Sequence, residues 1–181
     1  MKKVAVLLAD GFEEIEALTV VDILRRADID VKTVSITNNI SVTGAHKICV
    51  NADTTIYDID DSYDMLVLPG GMPGTTNLDN CEILKNMILD AYKNNKFISA
   101  ICAAPMIFGK LNLLENKKAV CYPSFEEYLL NAIVTDDKVC VSDNVITSKA
   151  AGTASDMAFE LVKLLKGDKC SEKIRLSMYY D

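Results

Sequence analysis

FISAICAAPM, Phe97 to Met106, decides how the rest of the chain is read. Phe97–Ile101 is a short apolar run that suits a strand buried on both faces of a sheet. The chain then turns through Cys102 straight into a short helix, Ala103–Leu111. So sharp a strand-to-helix turn needs small residues two before and two after its apex, and Ala100 and Ala104 meet that need. Pro105 falls in the first helical turn, where a missing N–H costs nothing. A helix N-terminus stabilises a thiolate and can lower its pKa from about 8.5 into roughly the 3.5–7.5 range. Cys102 is therefore the candidate nucleophile. The alternative is a small buried hydrophobe, as free cysteine often is.

Outward from this turn, strands and helices alternate. Val4–Leu8 reads as a buried strand, Glu13–Ala27 as a helix with Ile15, Leu18, Val21 and Leu24 along one stripe, and Val31–Thr37 as a second strand. Ser41–Val50 suggests a small hairpin. Asp64–Leu68 is another buried strand, and Asn80 is a candidate cap for a helix over Cys81–Asn94. Lys118–Tyr122 predicts a strand, and Ser124 a cap for a short helix through Leu130. Lys138–Val141 and Val145–Ser148 predict two strands joined at Asp143-Asn144. Thr153 is expected to cap an amphipathic helix whose apolar face is Ala154, Met157, Ala158, Leu161 and Leu165. A last helix is expected over Glu172–Tyr180. The alternation predicts an α/β fold, a mostly parallel sheet covered by helices on both faces. No repeat or linker interrupts residues 1–181, so one domain is expected. Sites in such sheets form beyond the carboxyl ends of the strands.

Three strand-end loops therefore matter. The first holds Cys102. The second, Pro69-Gly70-Gly71-Met72-Pro73-Gly74, has three glycines in six residues, which bring backbone N–H groups close to a ligand. It reads as a phosphate cradle, as an oxyanion hole formed by the Gly71 and Ala103 N–H groups beside Cys102, or as a plain turn. No Gly-x-Gly-x-x-Gly or Gly-Lys-Ser/Thr is present, so a nucleotide site is weakly indicated. The third carries Asp10, Glu13, Glu14 and Glu16, carboxylates that a phosphate site would avoid. Glu16 lies close to the apolar stripe, although composition alone favours an exposed residue there, whereas Glu13 and Glu14 read as solvated first-turn residues. Cys81 is the rival thiol at a helix start, but no sharp-turn pattern surrounds it. The other four cysteines read as packing residues. His46, the only imidazole, sits in a hairpin-like stretch with no acidic neighbour in sequence and reads as a surface or interface residue.

Composition narrows the classes further. The chain has 181 residues, half of them apolar, and a net charge of −7, which disfavours a nucleic-acid or anionic-membrane partner. Six scattered cysteines without a Cys-x-x-Cys or paired Cys/His spacing argue against a zinc site. The opening MKKVAVLLADGFEE lacks a signal-peptide pattern, and no apolar stretch approaches the roughly 18 residues of a membrane span. The expectation is a cytoplasmic protein with reduced thiols.

GFEEIEA (Gly11–Ala17), LPGGMPG (Leu68–Gly74), AICAAP (Ala100–Pro105) and SKAAGTASDMAFELV (Ser148–Val162) together resemble the ThiJ/PfpI superfamily, in its DJ-one (DJ-1) branch. The likeness covers essentially the whole chain. It implies a flavodoxin-like sandwich, usually a homodimer. It also implies that Cys102 is the oxidisable turn cysteine, Glu16 the glutamate bonded to it, and Gly71 and Ala103 the backbone donors. Close relatives carry His-Pro where this chain has Tyr122-Pro123. A phenol titrates near 10 and is a poor base at neutral pH, so protease-like Cys-His chemistry is not expected. A protonated Glu16 would donate to the thiolate, and the two groups would titrate as a pair.

The resemblance implies two functions. One is a cysteine-dependent glyoxalase or protein deglycase acting on reactive dicarbonyls, with Cys102 as nucleophile, Glu16 as proton carrier and no metal or organic cofactor. The other is a redox sensor or redox-regulated chaperone that works through oxidation of Cys102 to a sulfinate. A binding domain with an inert Cys102 is a third reading. A homodimer is expected to use the first helix and the segment near His46, because Ile36, Ile40 and Val42 form a stretch that a lone domain leaves partly uncovered.

Overall fold

Val4, Val6 and Leu8 face one hydrophobic core, and Ala5, Leu7 and Ala9 face another. Strand β1 (Lys3–Leu8) is thus apolar from Val4 onward because it is covered on both faces. The computed structural model describes residues 2–60 and 62–180. After β1 come α1 (Glu14–Arg26), β2 (Asp30–Ser35), β3 (Ser41–Thr43), β4 (Cys49–Asn51) and β5 (Thr54–Thr55). Then follow β6 (Met65–Leu68), α2 (Gly74–Asp79), α3 (Glu82–Lys93), β7 (Phe97–Ile101), α4 (Pro105–Lys110), β8 (Lys118–Ala119) and β9 (Ile133–Val134). The series ends with β10 (Val139–Ser142), β11 (Val145–Ser148), α5 (Ala154–Lys166) and α6 (Asp168–Ser177).

The main sheet runs β10-β11-β7-β6-β1-β2-β5, parallel except for the antiparallel edge pair β10–β11. Helices α1 and α5 cover one face, and α3 and α4 cover the other. The chain order reverses between β1 and β6, so the loops after these strands meet at the switch point where α/β sheets build sites. Among the described residues, no helix is long and apolar enough to cross a membrane.

The α/β architecture, the small hairpin β3–β4, the hairpin at Asp143-Asn144 and the buried face of α5 match expectation. Several elements differ. The α1 stripe is wrong in its first half: Ile15 and Leu18 are exposed, while Ala17, Val20, Val21 and Leu24 are buried. Three residues turn a helix by about 300°, so a strict spacing of three drifts about 60° per step and leaves the buried face. The expected strand over Lys118–Tyr122 shrinks to β8, which pairs with β9 outside the main sheet. Ser124 has φ 80° and caps no helix; only a 3-10 turn, Glu126–Tyr128, follows. Asn80 ends α2, a helix not foreseen, and Cys81 holds the N-cap position of α3 without a side-chain bond. Thr153 does not cap α5 either, because its hydroxyl is taken by Ala150 and Ser148. The last helix begins at Asp168, four residues before Glu172.

Gly109 shows how closely the second layer packs. A Cβ there would lie 1.9 Å from the Tyr128 carbonyl oxygen, whereas one on Gly152 would meet nothing within 4 Å. In urea unfolding, Gly109→Ala is expected to cost about 1–3 kcal/mol. Gly152→Ala should stay within about 0.5 kcal/mol of the parent.

Candidate active site

Cys102 sits in the left-handed region, with φ 63°. A side chain at such a position is strained, and the surroundings hold it there. Its N–H donates to the Ser148 carbonyl at the end of β11 at 3.0 Å, and its carbonyl accepts from Tyr122 N–H at 2.8 Å. The residue is fixed from both sides at the carboxyl edge of the sheet. The Ala103 and Gly71 N–H groups act on its sulfur and pull the thiol pKa down.

Glu16 reaches the same point from the first turn of α1. It is 1% exposed, and its Oε2 accepts from Gly70 N–H at 2.7 Å. A Cβ on Gly70 would lie 2.7 Å from both Cys102 Cβ and Glu16 Oε2, so only glycine lets the two side chains meet. The carboxyl lies beside the thiol, and its Oε1 is buried with no hydrogen-bond partner among the described residues. Burial pushes the Glu16 carboxyl up to about 7, against the opposing pull of Gly70 and Cys102. Burial and the neighbouring Glu16 charge push the thiol up to about 12, and the Ala103 and Gly71 amides only partly offset this.

The expected lowering of the Cys102 pKa by a helix N-terminus is thus corrected. Helix α4 has six residues and begins only at Pro105, so the sulfur lies outside its first turn, in a buried setting. Ionisation at this site belongs to the pair. One proton leaves near neutrality, and a thiolate exists to the extent that the remaining proton rests on Glu16.

The other sequence candidates are resolved individually. Cys81 is half-buried against the second core and remote from this constellation of contacts. Cys121 and Cys140 are buried, but Cys49 is exposed, 3.0 Å from Ser41 Oγ, and is not a packing residue. All six thiols are free. Asp10 is structural: its carboxylate accepts from Thr43 N–H at 2.8 Å. The glycine loop is no open phosphate cradle, since Gly70 N–H binds Glu16 and Gly74 N–H binds the Gly11 carbonyl.

Near His46 the solvated reading of Glu14 is overturned, while the imidazole itself lies at the surface, its side chain 70% exposed. Glu14 is buried rather than solvated, and it accepts from His46 N–H at 2.8 Å and pairs with His46 Nδ1 at 2.9 Å. The imidazole therefore has an acidic neighbour, brought from 32 residues away by the hairpin. Burial pushes the Glu14 carboxyl up, but the His46 ring and the N–H groups of His46 and Ile48 outweigh it and hold it low. The bond to Glu14 and its charge raise His46. Tyr122 lends its backbone to Cys102 while its half-exposed ring packs edge-on to Phe125.

The model of the DJ-1/PfpI family matches residues 2–164. The chain belongs to this family. It is similar to protein DJ-1 homolog B of Arabidopsis thaliana, 40% identical over 169 residues, covering 92% of this chain and 39% of that protein. The chain thus spans less than half the length of that relative. Protein dj-1beta of Drosophila melanogaster is 31% identical over 176 residues, covering 96% of this chain and 94% of that one. Among solved structures, the oxidized DJ-1 of Toxoplasma gondii superposes with a TM-score of 0.95 at 33% identity, covering 99% of each chain.

The paired titration sets a pH profile. Alkylation of Cys102 by iodoacetamide, followed by peptide mass spectrometry, is expected to rise through a pH of about 7 and then level off, with a second rise only toward about 12. In Glu16→Gln the step near 7 should vanish, because no carboxyl titrates beside the thiol, and the remaining rise should fall below 12, because the Glu16 charge no longer opposes ionisation. A step that persists in that variant would show that Glu16 does not control the thiol.

Proposed function

We propose that this DJ-1/PfpI chain converts small reactive dicarbonyls to hydroxy acids at Cys102. The observation that carries this reading is the buried Glu16 carboxyl beside Cys102, which burial pushes up to about 7 and so suits to carrying a proton. The thiolate adds to the aldehyde carbon of a compound such as methylglyoxal, forming a C–S bond and an oxyanion. Gly71 and Ala103 N–H groups stabilise that charge, and protonated Glu16 supplies the proton. Glu16, now a carboxylate, takes the proton from the former aldehyde carbon and returns it to the adjacent carbon, while the hydroxyl proton of the first carbon passes to the oxygen of the second, leaving a thioester. The first carbon is oxidised and the second reduced, so no external oxidant is needed. Water cleaves the resulting thioester, releasing lactate and restoring the thiol. The same addition to dicarbonyl adducts on proteins describes a deglycase.

Lactate formed from methylglyoxal by metal-free protein is the test. Cys102→Ala is expected to abolish it. Glu16→Gln should slow it by about a hundredfold or more, with Glu16→Asp between Gln and the parent. Turnover that survives Cys102→Ala would overturn the reading.

The two amides acting on sulfur favour a second use, redox sensing, because they also suit a sulfinate anion. Two equivalents of peroxide would add two oxygen atoms to the sulfur and be reduced to water. Selective oxidation of Cys102 by mild peroxide without dicarbonyl turnover would favour sensing; uniform oxidation of all six thiols would exclude it.

The macromolecular partner proposed is a second copy of the chain. Ile15 and Leu18 on α1, and Ile40 and Ile48 beside the hairpin, are exposed at 57, 37, 46 and 54%. Glu14 ties these elements together through His46 and Ile48. Of the residues that first suggested this face, Val42 is buried, Ile36 is partly covered and Ile40 remains exposed. Light scattering at micromolar concentration is expected to give twice the chain mass; a single-chain mass would overturn the dimer.

A further inference from the structure

Glu13, Glu14 and His46 form a second cluster, outside the Cys102–Glu16 pair. One ligand atom from each lies within 4.8 Å of the others. His46 Nδ1 stands 2.9 Å from Glu14 Oε2 and 3.8 Å from Glu13 Oε1. Donors bound to one zinc ion at about 2.0–2.2 Å sit about 3.3 Å apart in a tetrahedron, so the spacing fits with little movement.

Both carboxylates are held in place by contacts with the backbone. Glu13 Oε2 accepts from Glu16 N–H at 2.8 Å, which leaves Oε1 directed toward the imidazole. Glu14 Oε1 accepts from the N–H groups of His46 and Ile48, which leaves Oε2 for the ring. Their side chains are 14% and 7% exposed, while that of His46 is 70% exposed. Two largely buried carboxylates thus converge on one imidazole nitrogen. Among the described residues, neither makes an ion pair with a lysine or arginine; both pair only with His46. The positive end of α1 opposes a cation here, but it amounts to about half an elementary charge against two carboxylates.

We infer that Glu13, Glu14 and His46 form a binding site for a first-row divalent metal ion, bridging the N-terminus of α1 and the β3–β4 turn. One imidazole nitrogen and two carboxylate oxygens suit zinc, nickel or cobalt rather than calcium or magnesium, which favour all-oxygen shells. Three protein ligands leave a position open to water or a small anion. The site uses neither the Cys102 nor the Glu16 side chain, so its test is distinct from that of the dicarbonyl reading.

Zinc and cobalt are the probes, added to the full chain with reduced thiols. His46 is the only imidazole, so its ring protons form a unique NMR signal. One equivalent of zinc is expected to shift that signal and to raise the unfolding temperature. His46→Ala alters an exposed side chain and should weaken zinc binding about tenfold or more while leaving the fold intact. Glu13→Gln should weaken it in the same direction. The first equivalent of cobalt should give ligand-field bands without sulfur-to-cobalt charge transfer. The site is overturned if the ring signal stays unmoved at saturating zinc, if His46→Ala binds as the parent does, or if the first cobalt ion shows thiolate charge transfer.

Discussion

The bond from Gly70 N–H to Glu16 Oε2 joins the first turn of α1 to the loop after β6. It is buried, and it fixes a carboxyl where the sheet's strand order reverses. The surrounding loops are shaped by that approach. Gly70 has no room for a Cβ, and Gly71, at φ 88°, would press one into the Glu13 backbone. With side chains excluded, Glu16 and Cys102 meet without intervening atoms, and the Gly71 amide turns toward sulfur.

That closeness sets the chemistry. A thiol removed from water resists ionisation, and an ionised carboxylate beside it makes ionisation harder still. The same burial makes the carboxyl reluctant to ionise, so it becomes the natural holder of the proton. The site does not rely on a helix dipole, since α4 starts too late and is too short. It works as a carboxyl–thiol pair, with two backbone amides ready for whatever anion develops on or beside sulfur.

Glu14 serves a different structural purpose two residues away. Its carboxylate is nearly as buried as that of Glu16, yet it is surrounded by donors from the β3–β4 turn and stays ionised. Neighbouring glutamates on one helical turn thus differ in proton affinity because donors outweigh burial at Glu14, whereas burial outweighs the pull of Gly70 and Cys102 at Glu16. The hairpin is held against α1 by this contact, which brings Ile15, Leu18 and Ile48 to the surface around it.

The sequence by itself determined the α/β fold, the turn at Cys102 and the glycine loop. These depend on local rules: apolar runs for buried strands, small residues for a sharp turn, and glycine where backbones touch. Family resemblance, carried by four motifs, added the pairing of Glu16 with Cys102 and selected the donors Gly71 and Ala103 from the readings that the glycine loop left open. Tertiary structure alone decided the direction of the Cys102 shift, the burial of Glu14 and its bond to His46. It also decided which half of the α1 stripe faces the core. Desolvation depends on everything packed around a group, and Glu14 and His46 lie 32 residues apart along the chain. A pattern read along one strand or one helix carries neither quantity. The missing caps at Asn80, Ser124 and Thr153 have the same origin: each residue is a good cap by type, but the chain geometry or another partner claimed it first.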